Sequence, residues 1–242
     1  MAAYKILLTN FEYGTGLNGS FYDYCRSFYR YLYCPSGTQK KSLGALKRLI
    51  EREQPDLSCI VEMGTRQMPA LKDDHYAYSD IENKYGANSL LRKLPLFKNR
   101  SNAFLSKKKL AFAQHFFKYG TKKLIYEIFL NKNTSLFLAH FSLNRKTRQK
   151  QFEEIKALIK DKKRVIVCGD FNIFKGFGEL RSLIKKSRLK IANQTTDWTF
   201  PACRPTRALD LFIHSDTISV KNLRVAPDQF SDHSAVILEI DL

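Results

Sequence analysis

Apolar residues along this chain gather in short runs divided by polar stretches. YKILLT (4–9), LSCIVEM (57–63), NAFLSK (102–107), KLIYEIFL (123–130), SLFLAHF (135–141), RVIVCGD (164–170), ALDLFIH (208–214) and SAVILEI (234–240) have the length and composition of strands. Helical periodicity appears in KSLGALKRLIERE, where Leu43, Leu46, Leu49 and Ile50 share one side. It recurs in QFEEIKALIK, with Phe152, Ile155, Leu158 and Ile159, and in GELRSLIKKSRL, with Leu180, Leu183 and Ile184.

The order of elements is mixed. A long helix between the first two strands suggests a crossover unit. The run from 102 to 141 holds strands with no helix between them, which suggests consecutive antiparallel pairing. Strands this apolar need cover on both faces, and a sandwich of two mixed β-sheets with helices outside supplies it. Residues 20–42, which open SFYDYCRSFYRYLY, fit less well. They read as a surface helix or an aromatic-basic loop near a site, with packing of the tyrosines into a core as the plainer expectation. No repeat, low-complexity tract or linker divides residues 1–242, so one domain is expected.

Composition narrows this picture. The 242 residues are 44% hydrophobic and 13% aromatic, which suits a folded globular chain. No apolar run is long enough to span a bilayer, and no secretory signal opens the sequence, so the expectation is a cytoplasmic protein. Cys25, Cys34, Cys59, Cys168 and Cys203 are scattered, with no C-x-x-C pair, and read as reduced thiols. Charge changes the picture most. Lys+Arg number 41 against 23 Asp+Glu, a net +18. Such a field attracts polyanions: nucleic acid, an anionic membrane surface or phosphorylated small molecules.

Polar groups recur where the apolar runs stop. Asn10 ends the first and Glu12 follows it. Glu62 sits in CIVEM, His140 in FLAHF, Asp170 and Asn172 in VCGDFN, and Asp210 in ALDLF. Asp232 and His233 stand just before the last run. Taken singly, each is a plausible turn former; Asp170 and Asn172 in particular favour turns. Together they offer oxygen ligands suited to a hard divalent cation, plus two imidazoles for proton transfer or anion binding. No Walker-type phosphate loop or nucleophile elbow is present.

The ordered set Asn10, Glu62, His140, Gly169-Asp170-Phe171-Asn172, Asp210 and Ser231-Asp232-His233 resembles the endonuclease/exonuclease/phosphatase superfamily of DNase I-like phosphodiesterases. SNAFLSKKKL, LAHFSLNRKTRQKQF and TFPACRPTRALDLFIHS resemble its supporting segments. The resemblance runs from residue 10 to 240. It implies an α/β fold, a four-layer α/β/β/α sandwich of two mixed sheets flanked by helices. It further implies a Mg2+ site, with Mn2+ a possible substitute, in which Glu62 is the main ligand and Asn10 and Asp232 complete the environment. Glu12 falls where some members place an additional acid. Asp170 would activate or orient water and Asn172 would hold that water and a phosphate oxygen. His140 and His233 would stabilise the pentacoordinate phosphorus, and Asp210 would align one of these rings; sequence leaves open which.

The resemblance does not choose the substrate. Charge favours a nuclease-type reading. Arg145, Lys146, Arg148 and Lys150 follow His140, Lys107–Lys109 follow the third apolar run, and Arg204 and Arg207 flank the Asp210 segment. Asn102, Arg145, Arg148 and Arg207 are the expected substrate contacts. LIKKSRLK and IKDKKR read as solvated helix ends. The LAHFS segment departs from the tyrosine-rich pattern of the DNA-repair members. A lipid or small-molecule phosphodiesterase or phosphatase is therefore the alternative, and a non-catalytic polyanion-binding protein a further one. A monomer is expected.

Overall fold

The computed structural model describes residues 3–86, 89–95, 97–185 and 187–242. In chain order the elements begin β1 (Tyr4–Asn10), α1 (Phe21–Ser27), α2 (Ser36–Glu53), β2 (Leu57–Gly64), β3 (Tyr78–Asn83), β4 (Arg100–Ser106), β5 (Phe112–Phe116) and β6 (Leu124–Asn131). They continue β7 (Thr134–His140), α3 (Arg145–Ile159), β8 (Arg164–Asp170), α4 (Arg181–Ile184), β9 (Leu189–Ile191), β10 (Asp210–Ser215), β11 (Val220–Val225) and β12 (Val236–Ile240). Two six-stranded sheets result, ordered β11-β12-β1-β2-β4-β3 and β5-β6-β7-β8-β10-β9. Each is mixed. β1 and β2 are parallel, as are β7 and β8, and every other pair is antiparallel. The parallel pairs are joined through α2 and α3, the crossovers that parallel neighbours require.

Period-two alternation builds three apolar layers from these sheets. Ile6 and Leu8, Leu136 and Leu138, and Ile166 and Cys168 point between the sheets. Leu7 and Ile60 turn the other way and meet Leu46, Leu49 and Ile50 of α2. Phe137, Val165 and Val167 likewise meet Phe152 and Ile155 of α3. The expected four-layer α/β/β/α sandwich is therefore the observed one. Each such aliphatic or aromatic side chain, fully buried, contributes ~1.5–3 kcal/mol.

Several expectations need correction. β4 does not continue into β5–β7. It pairs with β2 and β3 in the first sheet, and only β5, β6 and β7 form a consecutive antiparallel set. GELRSLIKKSRL is not one helix: a 3₁₀ turn over Phe177–Leu180 leads into α4, and Leu189 already belongs to β9, while Lys186 lies outside the described residues. The tyrosines of 20–42 are not core residues either. Tyr22, Tyr29 and Tyr33 are exposed. Arg148, expected to touch substrate, is buried. Its guanidinium donates to the Ser142 and Leu143 carbonyls at 2.7 and 2.9 Å and pairs with Glu179, tying α3 to the segment before α4.

One close approach lies beside the site. Gly169 has φ +143°, and a Cβ there would fall 1.7 Å from the Ala139 carbonyl oxygen on β7. Gly169→Ala is expected to push β7 and β8 apart next to Asp170 and destabilise the fold by more than ~3 kcal/mol, read as a lowered urea midpoint. Glu179→Ala leaves Arg148 buried without its counter-charge. The expected loss is about 3–5 kcal/mol in the same measurement.

Candidate active site

Where parallel strands end, antiparallel neighbours begin. β1, β2, β7 and β8 end in or near Asn10, Glu62, His140 and Asp170. β10, antiparallel to β8, starts at Asp210 directly opposite Asp170, and Asp232 and His233 lead into β12 beside β1. Topology thus delivers these groups to one edge. There the two sheets touch through polar atoms: Asn10 Nδ2 donates to Asp170 Oδ2 at 3.1 Å, and His140 Nδ1 stands 3.7 Å from Glu62 Oε1.

Local backbone aims the side chains. Glu62 sits at a bulge, where the β2–β4 register shifts between Ile60 and Met63, with φ +57°. A bulge re-aims a side chain, and a left-handed backbone at a non-glycine residue costs ~1–2 kcal/mol unless the surroundings hold it. Asn102 supplies part of that hold, its Oδ1 accepting from the Glu62 N–H at 3.2 Å. The Oδ1 of this expected substrate contact is thus engaged with the backbone of Glu62. Glu12 and Asn172 are left-handed too, at φ +48° and +52°. Asp170 Oδ1 accepts the Asn172 N–H at 2.9 Å while Asn172 Nδ2 donates to the Phe141 carbonyl at 2.9 Å. Gly-Asp-Phe-Asn is therefore an Asx turn in form, and this turn fixes Asp170 at the edge.

The two imidazoles have opposite surroundings. His233 Nδ1 lies 2.6 Å from Asp210 Oδ2, which settles the partner of Asp210. Burial alone would strip the proton from this ring. The charges of Asp210 and Asp232 outweigh it and hold His233 well above the ordinary imidazole range. His140 is pushed down to about 4 by burial and by the Lys122 ammonium against its ring, against a weaker pull from Asp170, 3.2 Å from its Nε2. Burial would raise Asp170, but its bond with His140 and the charges of His233 and Lys122 keep it below the usual carboxylate range. The surroundings thus favour the cation at His233, the neutral ring at His140 and the ionised form of Asp170.

Glu62, Glu12 and Asp232 form the acidic side. Burial disfavours the charge on Glu62, yet the Lys84 and Lys122 ammoniums keep it below the usual carboxylate range, with Lys84 Nζ 2.8 Å and Tyr13 Oη 3.2 Å from its Oε1. Glu12 is pushed up to about 9 by burial and by the charge of Asp232. Asp232 is raised by burial and by Glu62, against His233 and a bond from Tyr24. Three acids that raise or crowd one another in this way, beside the amide of Asn10, match the oxygen chemistry of a hard divalent cation. Among the described residues no three His, Cys, Asp or Glu side chains are already drawn into a closed ligand cluster.

Of the remaining expected residues, Arg145 is exposed and pairs with Glu179 at 3.5 Å. Arg207 is exposed and lines a cleft with Phe174 and Trp198. Sequence reasoning missed Lys84, Lys122, Tyr13, Tyr24 and Tyr31. The hydroxyls of Tyr24 and Tyr31 reach Asp232 and Glu12. The two lysines carried no signal among 41 basic residues. Tyr24 and Tyr31 did: they lie in the aromatic stretch that fitted no core pattern.

Among curated proteins, none matches the chain's sequence. Solved structures resemble it closely in fold at low identity. A family protein from Bacteroides thetaiotaomicron has TM-score 0.72 and 13% identity over 99% of this chain and 98% of its own. Humanized D. rerio TDP2 gives TM-score 0.70 and 12% identity over 100% of both chains. A mannosyl-6-phosphatase from B. thetaiotaomicron gives 0.70 and 14%, over 99% of this chain and 100% of its own. The model of the Endonuclease/Exonuclease/phosphatase family matches residues 26–233. With that match spanning most of its length and the fold agreeing, this chain belongs to the endonuclease/exonuclease/phosphatase family of phosphoester hydrolases.

Proposed function

We propose that this protein is a Mg2+-dependent phosphodiesterase of nuclease type, cleaving DNA or RNA by in-line attack of water. The observation that carries the reading is geometric: Asp170, held by Asn10 of the opposite sheet, ends β8 directly opposite Asp210, whose carboxylate grips His233 Nδ1 at 2.6 Å. A phosphodiester is anionic and repels its nucleophile, so the site needs an oriented water and positive charge facing the phosphorus. Asp170, held below the usual range, accepts a hydrogen bond from water and orients it; Asn172 keeps that carboxylate in place. His233 has Nδ1 committed to Asp210, which leaves its Nε2–H to meet a nonbridging oxygen as charge grows there. Glu62, Asn10 and Asp232 would hold the metal, with Glu12 beside them. When bound, it neutralises phosphoryl oxygens and the leaving group. Manganese satisfies the same oxygen donors. The polynucleotide assignment rests on the net +18 charge, a field that favours a substrate with many phosphates over one with a single phosphate.

Glu62→Gln is expected to shift the Mg2+ titration to higher concentration and lower turnover at least roughly tenfold, since the lost charge is felt directly. Full activity in EDTA would overturn the metal assignment. Asp170→Asn and His233→Ala should each lower kcat by ~10²–10⁴ with KM nearly unchanged, circular dichroism confirming the fold. Asp210→Asn, one residue further from phosphorus, should lose less. Substrate class is read by hydrolysis of plasmid DNA, single-stranded DNA, RNA, sphingomyelin and phosphorylated sugars with Mg2+. Turnover confined to the last two would replace the nuclease reading.

A further inference from the structure

The segment from Phe21 to Tyr33 is built inside out. α1 and the 3₁₀ turn after it point Tyr24, Ser27 and Tyr31 inward, at spacings of three and four. The hydroxyls of Tyr24 and Tyr31 fasten the segment to the site through Asp232 and Glu12. The opposite face should then be polar. It carries Phe21 at 85% exposure, Tyr22 at 71%, Phe28 at 63%, Tyr29 at 50%, Leu32 at 66% and Tyr33 at 75%. Leaving so much contiguous apolar surface in water is unfavourable, and such a patch marks a place where something docks.

Cations are interleaved with the rings. Arg26 and Arg30 belong to the same segment. Arg30 borders two concavities. One, of about 380 Å³, lies over α1 with Tyr22, Tyr29 and Arg26 in its wall. The other, of about 280 Å³, includes Arg66, Arg100 and Tyr13, whose hydroxyl contacts Glu62. Arg30 Nη1 donates to the Thr15 carbonyl at 3.3 Å, and its Nε is buried with no partner. Arg100 lies 4.8 Å over the Tyr13 ring, which sets its guanidinium in the wall of the second concavity. A basic path with outward rings thus runs from the acidic side of the site across the segment.

We propose that this path binds an unpaired polynucleotide strand, the arginines meeting phosphates on one side of the scissile bond and the exposed rings stacking the bases. The proposal rests on the nuclease reading and narrows its substrate to single strands or single-stranded flanks. Paired bases hide their faces inside a duplex, whereas unpaired bases offer a π-face to every ring. The charge complements phosphate, and the patch is nearly all aromatic, which stacking uses and an aliphatic protein partner does not require. Only Asp23 is acidic within Phe21–Tyr33, and its Oδ2 accepts the Asn18 N–H at 2.8 Å.

The test is fluorescence anisotropy of the full chain in EDTA with labelled oligothymidylate, oligouridylate and a duplex of equal length, alongside co-sedimentation with phosphatidylserine vesicles. Wild-type protein should hold either single strand at least about tenfold tighter than the duplex. Tyr22→Ala, Phe28→Ala and Tyr33→Ala should each weaken that binding about fivefold or more, while Tyr33→Phe, which keeps the π-face, should bind like wild type. These side chains stand in solvent, so circular dichroism should be unchanged. The alanine variants binding single strands as wild type does, or a duplex preference, would overturn this inference and leave the nuclease reading standing if DNA or RNA is still cleaved with Mg2+. Vesicle capture lost in the same variants, without strand binding, would assign the patch to a membrane and overturn it. Absence of any polynucleotide cleavage by wild-type enzyme would defeat the nuclease reading itself.

Discussion

Asp170 is where two sheets become one site. Its carboxylate takes a hydrogen bond from Asn10, which ends a strand of the opposite sheet, and lies against His140 and opposite Asp210 within its own. Buried anions are costly unless several partners share the charge. Asp170 has partners from both sheets, so the sandwich must close with its strand ends in register before the carboxylate is satisfied. The bare backbone at Gly169, the bulge at Glu62 and the left-handed turn at Asn172 all serve that registration. Each is a departure from regular strand geometry within a residue or two of a polar group the site uses.

Much of this was legible in the sequence, and the gaps have a common cause. The central strands announced themselves because both faces are buried and their residues are uniformly apolar. The strands that went unread, β3, β5, β9 and β11, are the four edges of the two sheets. Edge strands have one neighbour and tolerate polar residues, as YSDIEN and VKNLRV show, so their pattern fades into that of loops. Assigning β4 to the wrong neighbours followed from the same blindness, since β3 is one of its true partners.

The site divides along a similar line. Asn10, Glu62, His140, Asp170, Asn172, Asp210, Asp232 and His233 were visible because they interrupt apolar runs at their ends. Residues that reach the site from surface segments had no such contrast. Lys84 and Lys122 looked like any other surface cation, although Lys84 is buried against Glu62. Arg148 erred in the opposite direction. Its neighbours are solvent-facing cations, but helical phase turns it inward, where Glu179 waits. Charge counted along a chain does not reveal which charges face the solvent.

The pairing of β1 with β12 carries a consequence for synthesis. Tyr4 lies opposite Ile240, so β1 pairs with the strand of this fold most distant from it in sequence. Asn10 is made before Asp232 and His233, which reach its side only once the segment leading into β12 is available. Domains tend to form from the amino terminus as translation proceeds, but here that route ends in an incomplete catalytic edge. Completion of this edge therefore waits on the docking of β12 against β1.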